Sequence, residues 1–375
     1  MTDSSVSGRR RNTRSLIFNY IFDSDRPCTK LDIAKGLNLS FPTVYHNLAE
    51  LEERGYIEPC GELPSTGGRP ATSYKVVKNI RTAIGISMTS HHLDFAAADL
   101  SKTETAIKTV QNRFLIDDPN YFRFVADELE VFIDENGIDR EKLLGVGITL
   151  AGIVMPDNYT VLYAPTLYMR DISLQALSDL IPYPVYIEND ASSGGYAEWC
   201  RDQAQTNIAF ISLSEGVGGA ILLNGEQYTG NNFRSGEFGH MCVEYNGRPC
   251  TCGKKGCLEA YCSSARIVGE TGATVEDFFS QLSGGDALAV NLWEDYKKHL
   301  VIGIHNIRMA FDCDIVLGGE LSEFIEPYLP ELRALSAELD PFDKDAAYLR
   351  VSRAPKYSSI LGVALGFIRD FISDI

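Results

Sequence analysis

The sequence predicts an α/β protein in two parts: a small winged helix-turn-helix domain at residues 1–78 and a larger body built from two α/β lobes. Three observations support this prediction. The charge is unevenly divided, because residues 1–80 hold 11 Lys/Arg against 9 Asp/Glu while the whole 375-residue chain has a net charge of −17. Within this first segment, two short helical patterns flank a tight turn. From residue 81 onward, strand and helix patterns alternate in two successive sets.

The N-terminal segment contains three helical patterns and a wing. The stretch "RSLIFNYIF" predicts a first helix whose apolar stripe consists of Leu16, Ile17, Tyr20 and Ile21. The stretch "CTKLDIAKGLNLSFPTVYHNLAELEERGYIE" predicts two more helices, with N-caps at Thr29 and Ser40 and with Gly55 ending the second. Their expected inward residues are Leu31, Ile33, Ala34, Leu37, Val44, Leu48 and Leu51. The following "GYIEPCGELPSTGGRPATSYKVV" has strand, turn and strand character, as a wing does.

A helix-turn-helix domain contacts base edges with the exposed start of its second helix. On this layout the predicted DNA-binding residues are Arg11 in the basic stretch "GRRRNTR", Ser40, Thr43, Tyr45, His46 and Asn47 on the second helix, and Arg69 in "GGRPA". Arg69, held extended between Gly68 and Pro70, suits a narrow A·T-rich minor groove. Two alternatives stay open: the helix pair is a protein-docking hairpin, and Arg69 is an ordinary linker arginine.

The body is expected to form a first lobe at residues 82–190, completed by a C-terminal helix at 357–375, and a second lobe at 191–356. In the first lobe "TAIGISM", "LDFAAADL" and "LLGVGITLAGIV" are strand patterns, and "YFRFVADELEVFIDENG" is an amphipathic helix. Ligands of such sheets bind beyond the carboxyl ends of the strands. The strand pattern "PVYIEND" ends in polar residues, so Glu188, Asn189 and Asp190 are expected at a cleft between the lobes.

Five of the nine cysteines lie in one stretch, "HMCVEYNGRPCTCGKKGCLEAYC". The sequence contains no apolar run of the roughly 20 residues that a membrane-spanning helix needs, and its polar, basic N-terminus lacks the apolar core of a signal peptide. The chain is therefore expected in the cytosol, where structural disulfides are rare. An odd number of cysteines also cannot pair completely, so a metal site is favoured over a disulfide framework.

Three short signatures carry a resemblance to a known family: "ENDA" at 188–191, "SGEFGH" at 235–240 and "CTCGKKGCLE" at 250–259. With its helix-turn-helix, the whole chain resembles transcriptional repressors of the ROK (repressor, open reading frame, kinase) family. The resemblance implies an actin/hexokinase-like, ribonuclease H-like fold of two lobes, with a sugar in the cleft between them. It also implies a structural zinc ion.

The proposed zinc ligands are His240, Cys250, Cys252 and Cys257, spaced as H-x9-C-x-C-x4-C. One nitrogen and three thiolates make a closed, four-coordinate set that suits structural Zn²⁺ and leaves no position open for a catalytic water. Cys242 and Cys262 fall outside this set and are expected to be buried thiols, although either could replace a ligand. The alternative is that all these cysteines are reduced and bind no metal.

The resemblance also places a set of sugar-binding residues, namely Asn189, Asp190, Glu237, His240 and Glu259. Carboxylates and planar amides form paired hydrogen bonds with adjacent hydroxyl groups, which suits them to sugar recognition. His240 can serve both sites, with one ring nitrogen toward zinc and the other toward a hydroxyl. Taken singly, each carboxylate would normally be interpreted as a solvated surface charge, and their occurrence together in the three family signatures favours sugar binding instead. The stretch "YAPTL" has Thr166 where the family usually has asparagine. The identity of the sugar therefore stays open, and a phosphorylated sugar is one of the candidates.

Two loops that hold ATP phosphates in ROK sugar kinases are altered in this sequence. The first, D-x-G-G-T in kinases, is "SMTSH" at 87–91, so Ser87 replaces the acidic residue and Thr89 and Ser90 replace the glycines. The second, G-T-G-x-G-G-G in kinases, is "SEGVGGA" at 214–220, with Glu215 where phosphate oxygens approach. Asp190, the general base of such a kinase, is present. The pattern predicts a protein that binds a sugar without phosphorylating it.

These observations together predict a sugar-responsive, DNA-binding transcriptional repressor without catalytic activity. It is expected to act as a homodimer or a dimer of dimers on a palindromic operator, with a sugar or sugar phosphate as effector and no membrane partner. The competing interpretations are an active ATP-dependent sugar kinase that retains a helix-turn-helix, and a binding module whose N-terminal hairpin docks protein.

Overall fold

A computed structural model describes residues 4–24, 26–63, 71–201, 207–353 and 356–375, and its N-terminal domain has the predicted winged helix-turn-helix fold. The elements of this domain are α1 (Ser4–Phe22), β1 (Cys28–Thr29), α2 (Lys30–Gly36), α3 (Phe41–Glu53), β2 (Ile57–Leu63) and β3 (Ala71–Val76). The three strands form an antiparallel sheet in which β3 lies between β1 and β2. The three helices pack on one another beside this sheet.

Both predicted helix caps in this domain are confirmed. Thr29 and Asp32 form a capping box, in which Thr29 Oγ1 accepts from the Asp32 N–H at 3.1 Å and Asp32 Oδ2 accepts from the Thr29 N–H at 2.9 Å. At the start of α3, Ser40 Oγ accepts from the Thr43 N–H at 3.4 Å. Gly55 adopts a φ of +71° just beyond the end of α3, a backbone conformation that favours glycine. These local signals fix the turn between α2 and α3.

The core of the N-terminal domain contains most of the expected apolar residues. Leu16 is 48 % exposed and Leu31 is 46 % exposed, so the prediction that these two face inward is wrong. Leu16 and Phe18 lie about 200° apart around the helix, so they cannot both face the core, and α1 buries Phe18. The buried apolar residues of the three helices are Ile17, Phe18, Ile21, Ile33, Ala34, Val44, Leu48 and Leu51.

The first lobe is built on a mixed five-stranded sheet. Its elements are β4 (Thr82–Met88), β5 (His92–Asp99), β6 (Glu104–Gln111), α4 (Tyr121–Glu135), β7 (Leu143–Leu150), β8 (Ile153–Val154), β9 (Thr160–Ala164), β10 (Met169–Ser173), α5 (Gln175–Ser178) and β11 (Val185–Asn189). The sheet order is β11-β7-β4-β5-β6, with β7 and β11 parallel to β4 and with antiparallel hairpins from β4 to β6. Helix α4 covers one face, where Phe132 stacks on Phe95 at 5.7 Å between ring centroids.

The second lobe repeats this plan after α6 (Asp190–Arg201). Its elements are β12 (Asn207–Leu213), β13 (Val217–Leu223), β14 (Glu226–Gln227), α7 (Glu259–Cys262), α8 (Ser264–Thr271), α9 (Val275–Ser283), α10 (Ala287–Phe311), β15 (Asp314–Gly318), α11 (Ser322–Ile325), α12 (Leu329–Leu339) and β16 (Leu349–Val351). The sheet order is β14-β13-β12-β15-β16. The last helix is α13 (Ser358–Ser373). In the described ranges, every helix is too short or too polar to cross a membrane.

Helices α6 and α13 lie side by side between the two main sheets. Helix α13 packs on β4, β5 and β7, and α6 packs on β12 and β13. Gly362 of α13 lies directly against the backbone of Ser193 in α6, with no room for a side chain between them. Helix α6 begins directly after β11, at the carboxyl end of the first sheet. The helix pair therefore connects this end of the first lobe with the second lobe.

Replacing Gly362 by alanine is expected to destabilise the protein by about 1–3 kcal/mol, because a methyl group there would overlap the carbonyl oxygen of Ser193 and push the helices apart. Gly366, one turn later in α13, is the matched control, since a methyl group there meets no described atom within 4 Å. Gly366→Ala should stabilise the protein by about 0.5–1 kcal/mol. Urea denaturation measures both changes. Equal stability of the two variants would contradict the close contact.

Candidate ligand cleft, metal-ligating loop and nucleic-acid interface

The predicted metal-ligating residues come together in one loop. A ring nitrogen of His240 and the sulfurs of Cys250, Cys252 and Cys257 all lie within 4.8 Å of one another. The sulfurs of Cys252 and Cys257 are 3.7 Å apart, and the Cys250 sulfur is 3.8 Å from His240 Nδ1. A tetrahedral ion with metal–sulfur bonds of about 2.3 Å needs sulfur–sulfur separations of about 3.8 Å. This group of side chains can therefore hold a metal ion.

The backbone of this loop turns tightly around the cysteines. The Val243 N–H donates to the Gly256 carbonyl oxygen at 2.8 Å. Gly256 has a φ of +78°, and a side chain there would overlap the backbone oxygen of Glu244, so the position requires glycine. Burial and the two neighbouring thiols raise the pKa of Cys257 to about 12. Burial and the neighbouring thiols therefore oppose ionisation of Cys257, and a cation beside it would favour the thiolate.

The other two cysteines of this stretch lie outside the ligand group. Cys262 is fully buried, as predicted, with its sulfur 3.7 Å from the carbonyl oxygen of Tyr296. Cys242 is exposed, so the prediction that it is buried is wrong. It pairs with Cys257 through an isolated antiparallel bridge. All nine cysteines belong to the described residues, and all are free thiols.

The predicted sugar-binding residues Asp190 and Glu237 lie near the metal-ligating loop, and burial raises the pKa of both carboxyl groups. The pKa of Glu237 is also raised by the negative charges of Glu259 and Asp190, while His240 opposes this effect. His240 Nε2 is 3.9 Å from Glu237 Oε2, whereas Nδ1 is 3.8 Å from the Cys250 sulfur. The two ring nitrogens are therefore directed to two different groups, the carboxylates and the thiols.

The first turn of α6 is fixed by the side chains at its start. Asn189 Oδ1 accepts from the Ser192 N–H at 2.9 Å, and its Nδ2 donates to the Gly152 carbonyl oxygen at 2.9 Å. Asp190 Oδ1 accepts from the Ala191 N–H at 2.9 Å. Asn189 thus uses both ends of its amide within the protein, and one N–H of Nδ2 and the second oxygen lone pair are left for a ligand.

Glu259 connects the metal-ligating loop to the segment 214–220. Its Oε1 accepts from Thr251 Oγ1 at 2.9 Å, between two of the cysteines, and from the Cys250 thiol at 3.5 Å. Its Oε2 accepts from the Val217 N–H at 3.3 Å, at the start of β13. Ordering of the loop and the position of this carboxylate are therefore linked.

Three residues in this part of the molecule were not singled out from the sequence: His92, Asp94 and Glu320. His92 Nε2 is 3.0 Å from Asp94 Oδ2, and this hydrogen bond raises the pKa of His92. Glu320 accepts from Ser264 Oγ at 3.2 Å, and burial raises its pKa. His92 and Glu320 are close enough for the charge of each to shift the pKa of the other. A single His-x-Asp pair on a strand forms no sequence motif, so no local signal marked it.

The start of α3 presents a polar and aromatic surface. Its exposed or partly exposed residues are Ser40, Phe41, Thr43, Tyr45 and His46. Tyr45 is 63 % exposed, and the Lys30 ammonium lies 4.5 Å from its ring centroid. Phe41 was not predicted here, because an aromatic residue at a helix start is easily taken for a core residue.

Asn47 does not belong to this surface. It is 6 % exposed, and its Nδ2 donates to the carbonyl oxygen of Thr43 at 2.8 Å, so the prediction that it is exposed is wrong. It follows the first turn of α3 on the buried side, next to Leu48. The side chain of Arg11 and the whole of Arg69 lie outside the described residues.

The sequence matches the ROK family over residues 83–365, and it matches the winged helix-turn-helix DNA-binding family over residues 10–58. The first match covers well over half of the chain. The protein therefore belongs to the ROK family, and the predicted family and fold are confirmed.

Several proteins resemble the chain along most of its length. The xylose repressor of Bacillus spizizenii is 27 % identical, over 97 % of this chain and 96 % of the relative. The Escherichia coli K12 DNA-binding transcriptional dual regulator NagC is 26 % identical, over 84 % of this chain and 82 % of the relative. The crystal structure of a ROK family transcriptional regulator, a homologue of the E. coli MLC protein, superposes with a TM-score of 0.76 at 22 % identity over 98 % of this chain and 97 % of that chain.

The fold is shared with enzymes of the family. A ROK family glucokinase from Streptomyces griseus, solved with glucose and AMPPNP, gives a TM-score of 0.64 at 21 % identity. This superposition covers 76 % of the present chain and 98 % of the kinase. The kinase covers a smaller share of this chain than the regulator does, which agrees with an additional N-terminal domain in the present protein.

Proposed function

We propose that the protein is a sugar-responsive, DNA-binding transcriptional repressor. The proposal rests on one juxtaposition: a winged helix-turn-helix domain with an exposed start of α3, joined to a ROK body whose carboxylates gather at the start of α6. Two of the relatives carry the names xylose repressor and N-acetylglucosamine repressor, and these names support a sugar as the effector.

In the proposed DNA complex the start of α3 enters the major groove. Ser40, Thr43, Tyr45 and His46 face the bases, since all are exposed or partly exposed there. The basic stretch around Arg11 neutralises phosphates, and Arg69 enters the minor groove. Asn47 is left out of this set because it is buried.

In the proposed sugar complex the hydroxyl groups bind Asp190, Glu237 and Glu259. Ionised carboxylates accept two hydrogen bonds each from adjacent hydroxyls, and the charges of Asp190 and Glu259 lie close enough to Glu237 to raise its pKa. His240 Nε2 adds a contact on the side away from the thiols, and Asn189 orders the first turn of α6. The alternative for each carboxylate, a solvated surface charge, does not explain why burial raises the pKa of Asp190.

The metal proposed for the loop is structural Zn²⁺, held by His240, Cys250, Cys252 and Cys257. The ion supplies charge neutralisation for the thiolates and fixes the loop. Residues of the chain itself position the sugar-binding carboxylates: Thr251 orients Glu259, and the His240 ring is directed toward Glu237. No catalytic step is assigned to this site, because four protein ligands complete the coordination.

The rival hypothesis of a sugar kinase has one observation in its favour, the position of Asp190 at the start of α6. Phosphate binding needs free backbone N–H groups in the loop at 87–91. The hydroxyl of Thr89 already accepts from the N–H groups of His91 and His92 at 3.3 and 3.1 Å. Glu215 is exposed in the second loop, where its charge would repel phosphate. We therefore infer that the protein does not transfer phosphate.

The remaining parts of the proposal concern assembly and ligand. A homodimer or dimer of dimers on a palindromic operator matches the way in which helix-turn-helix proteins read two half-sites. A DNA-bound role belongs in the cytoplasm. Sugars and sugar phosphates are both retained as effectors, and a thermal-shift screen of xylose, N-acetylglucosamine and their phosphates is the first way to choose between them.

The proposed function is tested by the exposed residues of α3. An operator selected from random DNA should be bound with an affinity that falls at least about tenfold between 50 and 200 mM salt. Replacing both Tyr45 and His46 by glutamate should abolish specific binding, because two negative charges then face the groove. Glu52→Ala, exposed on the same helix, is the control and should keep wild-type affinity. A wild-type protein without salt-dependent DNA affinity would favour the protein-docking alternative.

A further inference from the structure

The last turn of α13 belongs to the core of the N-terminal domain. Ile372 and Ile375 are buried in one hydrophobic cluster with Ile17 and Phe18 of α1. The ring of Phe371 meets Tyr56, which follows α3, edge to face at 5.6 Å between centroids. The N-terminal domain is therefore packed directly against the end of α13.

Arg14 joins three helices at this contact. Its side chain is 11 % exposed. Nε donates to the backbone oxygen of Ile375 at 2.6 Å, and Nη1 donates to Glu50 Oε2 at 3.1 Å. Arg14 sits on α1, Glu50 on α3 and Ile375 just beyond α13. Although Arg14 belongs to the basic stretch "GRRRNTR", it points into the protein and away from a phosphate backbone.

The other end of α13 packs against α6, the helix that begins at Asp190 of the proposed sugar site. Along α13, Ile360 contacts Gly85 in the middle of β4, and Phe367 contacts Gly145 near the start of β7. The helix therefore runs from the middle of the first sheet, past the start of β7, to the N-terminal domain, a length of about 24 Å. Near its start it touches α6 through Gly362, and α6 begins at Asp190.

A single hydrophobic cluster connects these parts without a break. It contains Tyr196 and Ala197 of α6, Leu361 and Ile368 of α13, and the core of the N-terminal domain. Packed interiors do not deform continuously, so a shift of α6 on ligand binding moves α13 as a unit. Arg14 binds the chain just beyond the last turn of α13, at the end of the helix that packs against the N-terminal domain.

We propose that Arg14 is a positioning residue that clasps α3 to α13 and so transmits the state of the sugar cleft to the DNA-binding surface. The inference rests on the proposed function. A guanidinium suits the task because its fixed fork of donors can serve a carboxylate and a backbone oxygen at once, whereas a lysine ammonium acts as a point charge.

A second attachment holds the N-terminal domain independently of Arg14. Lys102, in the turn between β5 and β6, pairs with Asp23 at 3.0 Å and lies 4.2 Å from the Phe22 ring centroid. Loss of Arg14 should therefore leave the domain folded and attached, and should remove only the link from α3 to α13. This separates a coupling defect from a folding defect.

The test compares Arg14→Gln with Arg54→Gln in the full chain. Arg54 is exposed at the end of α3, so its variant has the same charge change without the clasp. DNA affinity and sugar affinity are measured separately and then together, with xylose, N-acetylglucosamine or a phosphate of either as probe. Two ligands of one protein typically change each other's affinity by about 5- to 150-fold, and Arg14→Gln should reduce that factor to within about twofold of one.

In Arg14→Gln each ligand alone should still bind within about threefold of wild type, since neither site is touched. Arg14→Lys should not restore the coupling, and Glu50→Gln, which breaks only the α3 arm, should weaken it. Arg54→Gln should couple as wild type does. Undiminished coupling in Arg14→Gln overturns the proposal.

Hydrogen exchange on the same proteins keeps the clasp testable whether or not the proposed function is correct. Arg14→Gln should lose amide protection at 371–375 and in the second half of α3, with α6 unchanged. Wild-type protection at both segments in Arg14→Gln would overturn the clasp. A wild-type chain that binds no DNA would refute the proposed function and the transmission, and the exchange pattern would then decide the clasp alone.

Discussion

Cys252→Ser is expected to reduce the bound metal from about one zinc ion per chain to a small fraction of that value. The sulfur of Cys252 lies 3.7 Å from that of Cys257 and is one of four ligand atoms within 4.8 Å of one another. A serine hydroxyl is a much weaker ligand for Zn²⁺, and three donors no longer close the coordination shell. Metal analysis of the purified, reduced protein gives the stoichiometry, and X-ray absorption should show Zn–S distances near 2.3 Å in the wild type.

The same substitution should weaken sugar binding by about tenfold or more, because the metal-ligating loop would no longer hold the sugar-binding side chains in place. The loop carries Thr251, which orients Glu259, and the metal would hold one ring nitrogen of His240 while the other faces Glu237. Cys242→Ser is the matched control, because Cys242 lies in the same loop and outside the ligand group. It should retain metal and sugar. A wild-type protein that is folded, reduced and free of metal would contradict the zinc proposal.

The parts of the fold that could be predicted are those with local signals. Thr29 and Ser40 each cap a helix by accepting a hydrogen bond from the backbone N–H three residues later, so the sequence predicts the turn between α2 and α3. The ligand group was legible for a similar reason, since three of its four members fall within eight residues and glycine at 256 is required by the backbone.

The parts that could not be predicted depend on contacts between distant segments. Asn47 has the composition of a base-reading residue, but its direction is set by the side of α3 that the core covers. Arg14 lies in a basic stretch, and only the fold shows that its partner is 361 residues away. Leu16 was expected inside because it is apolar, but the core covers the face of α1 that carries Ile17, Phe18 and Ile21. Burial of single residues therefore needs the tertiary structure.

The other decisive variant is Asp190→Asn, which keeps the shape of the side chain but removes its charge and replaces one acceptor by a donor. If Asp190 binds a sugar hydroxyl as proposed, the dissociation constant for the sugar should rise about ten- to a hundredfold, because a buried hydrogen bond to a charged group contributes about 1.5–3 kcal/mol. The concentration of sugar needed to change operator binding should rise by the same factor. The full range of the response should remain, since the clasp and the DNA-binding surface are untouched.

The stability of the sugar-free protein separates this outcome from misfolding. Burial raises the pKa of Asp190, so the folded state disfavours its ionised form. The stability that this group contributes is present below its ordinary pKa and is lost as the pH rises through the raised value. At neutral pH Asp190→Asn should therefore be at least as stable as wild type, and the two should converge as the pH falls and Asp190 takes up its proton. Thermal unfolding at several pH values measures this difference.

The same variant decides between repressor and kinase. Wild type is expected to show no sugar-dependent ATP turnover, because the hydroxyl of Thr89 occupies the N–H groups of the first loop and Glu215 repels phosphate in the second. In a kinase, Asp190→Asn would remove the general base and leave much of the sugar binding intact. In the proposed repressor the variant loses sugar affinity and has no turnover to lose. ATP turnover by wild type with the sugar that stabilises it, eliminated in Asp190→Asn, would replace the repressor hypothesis with the kinase.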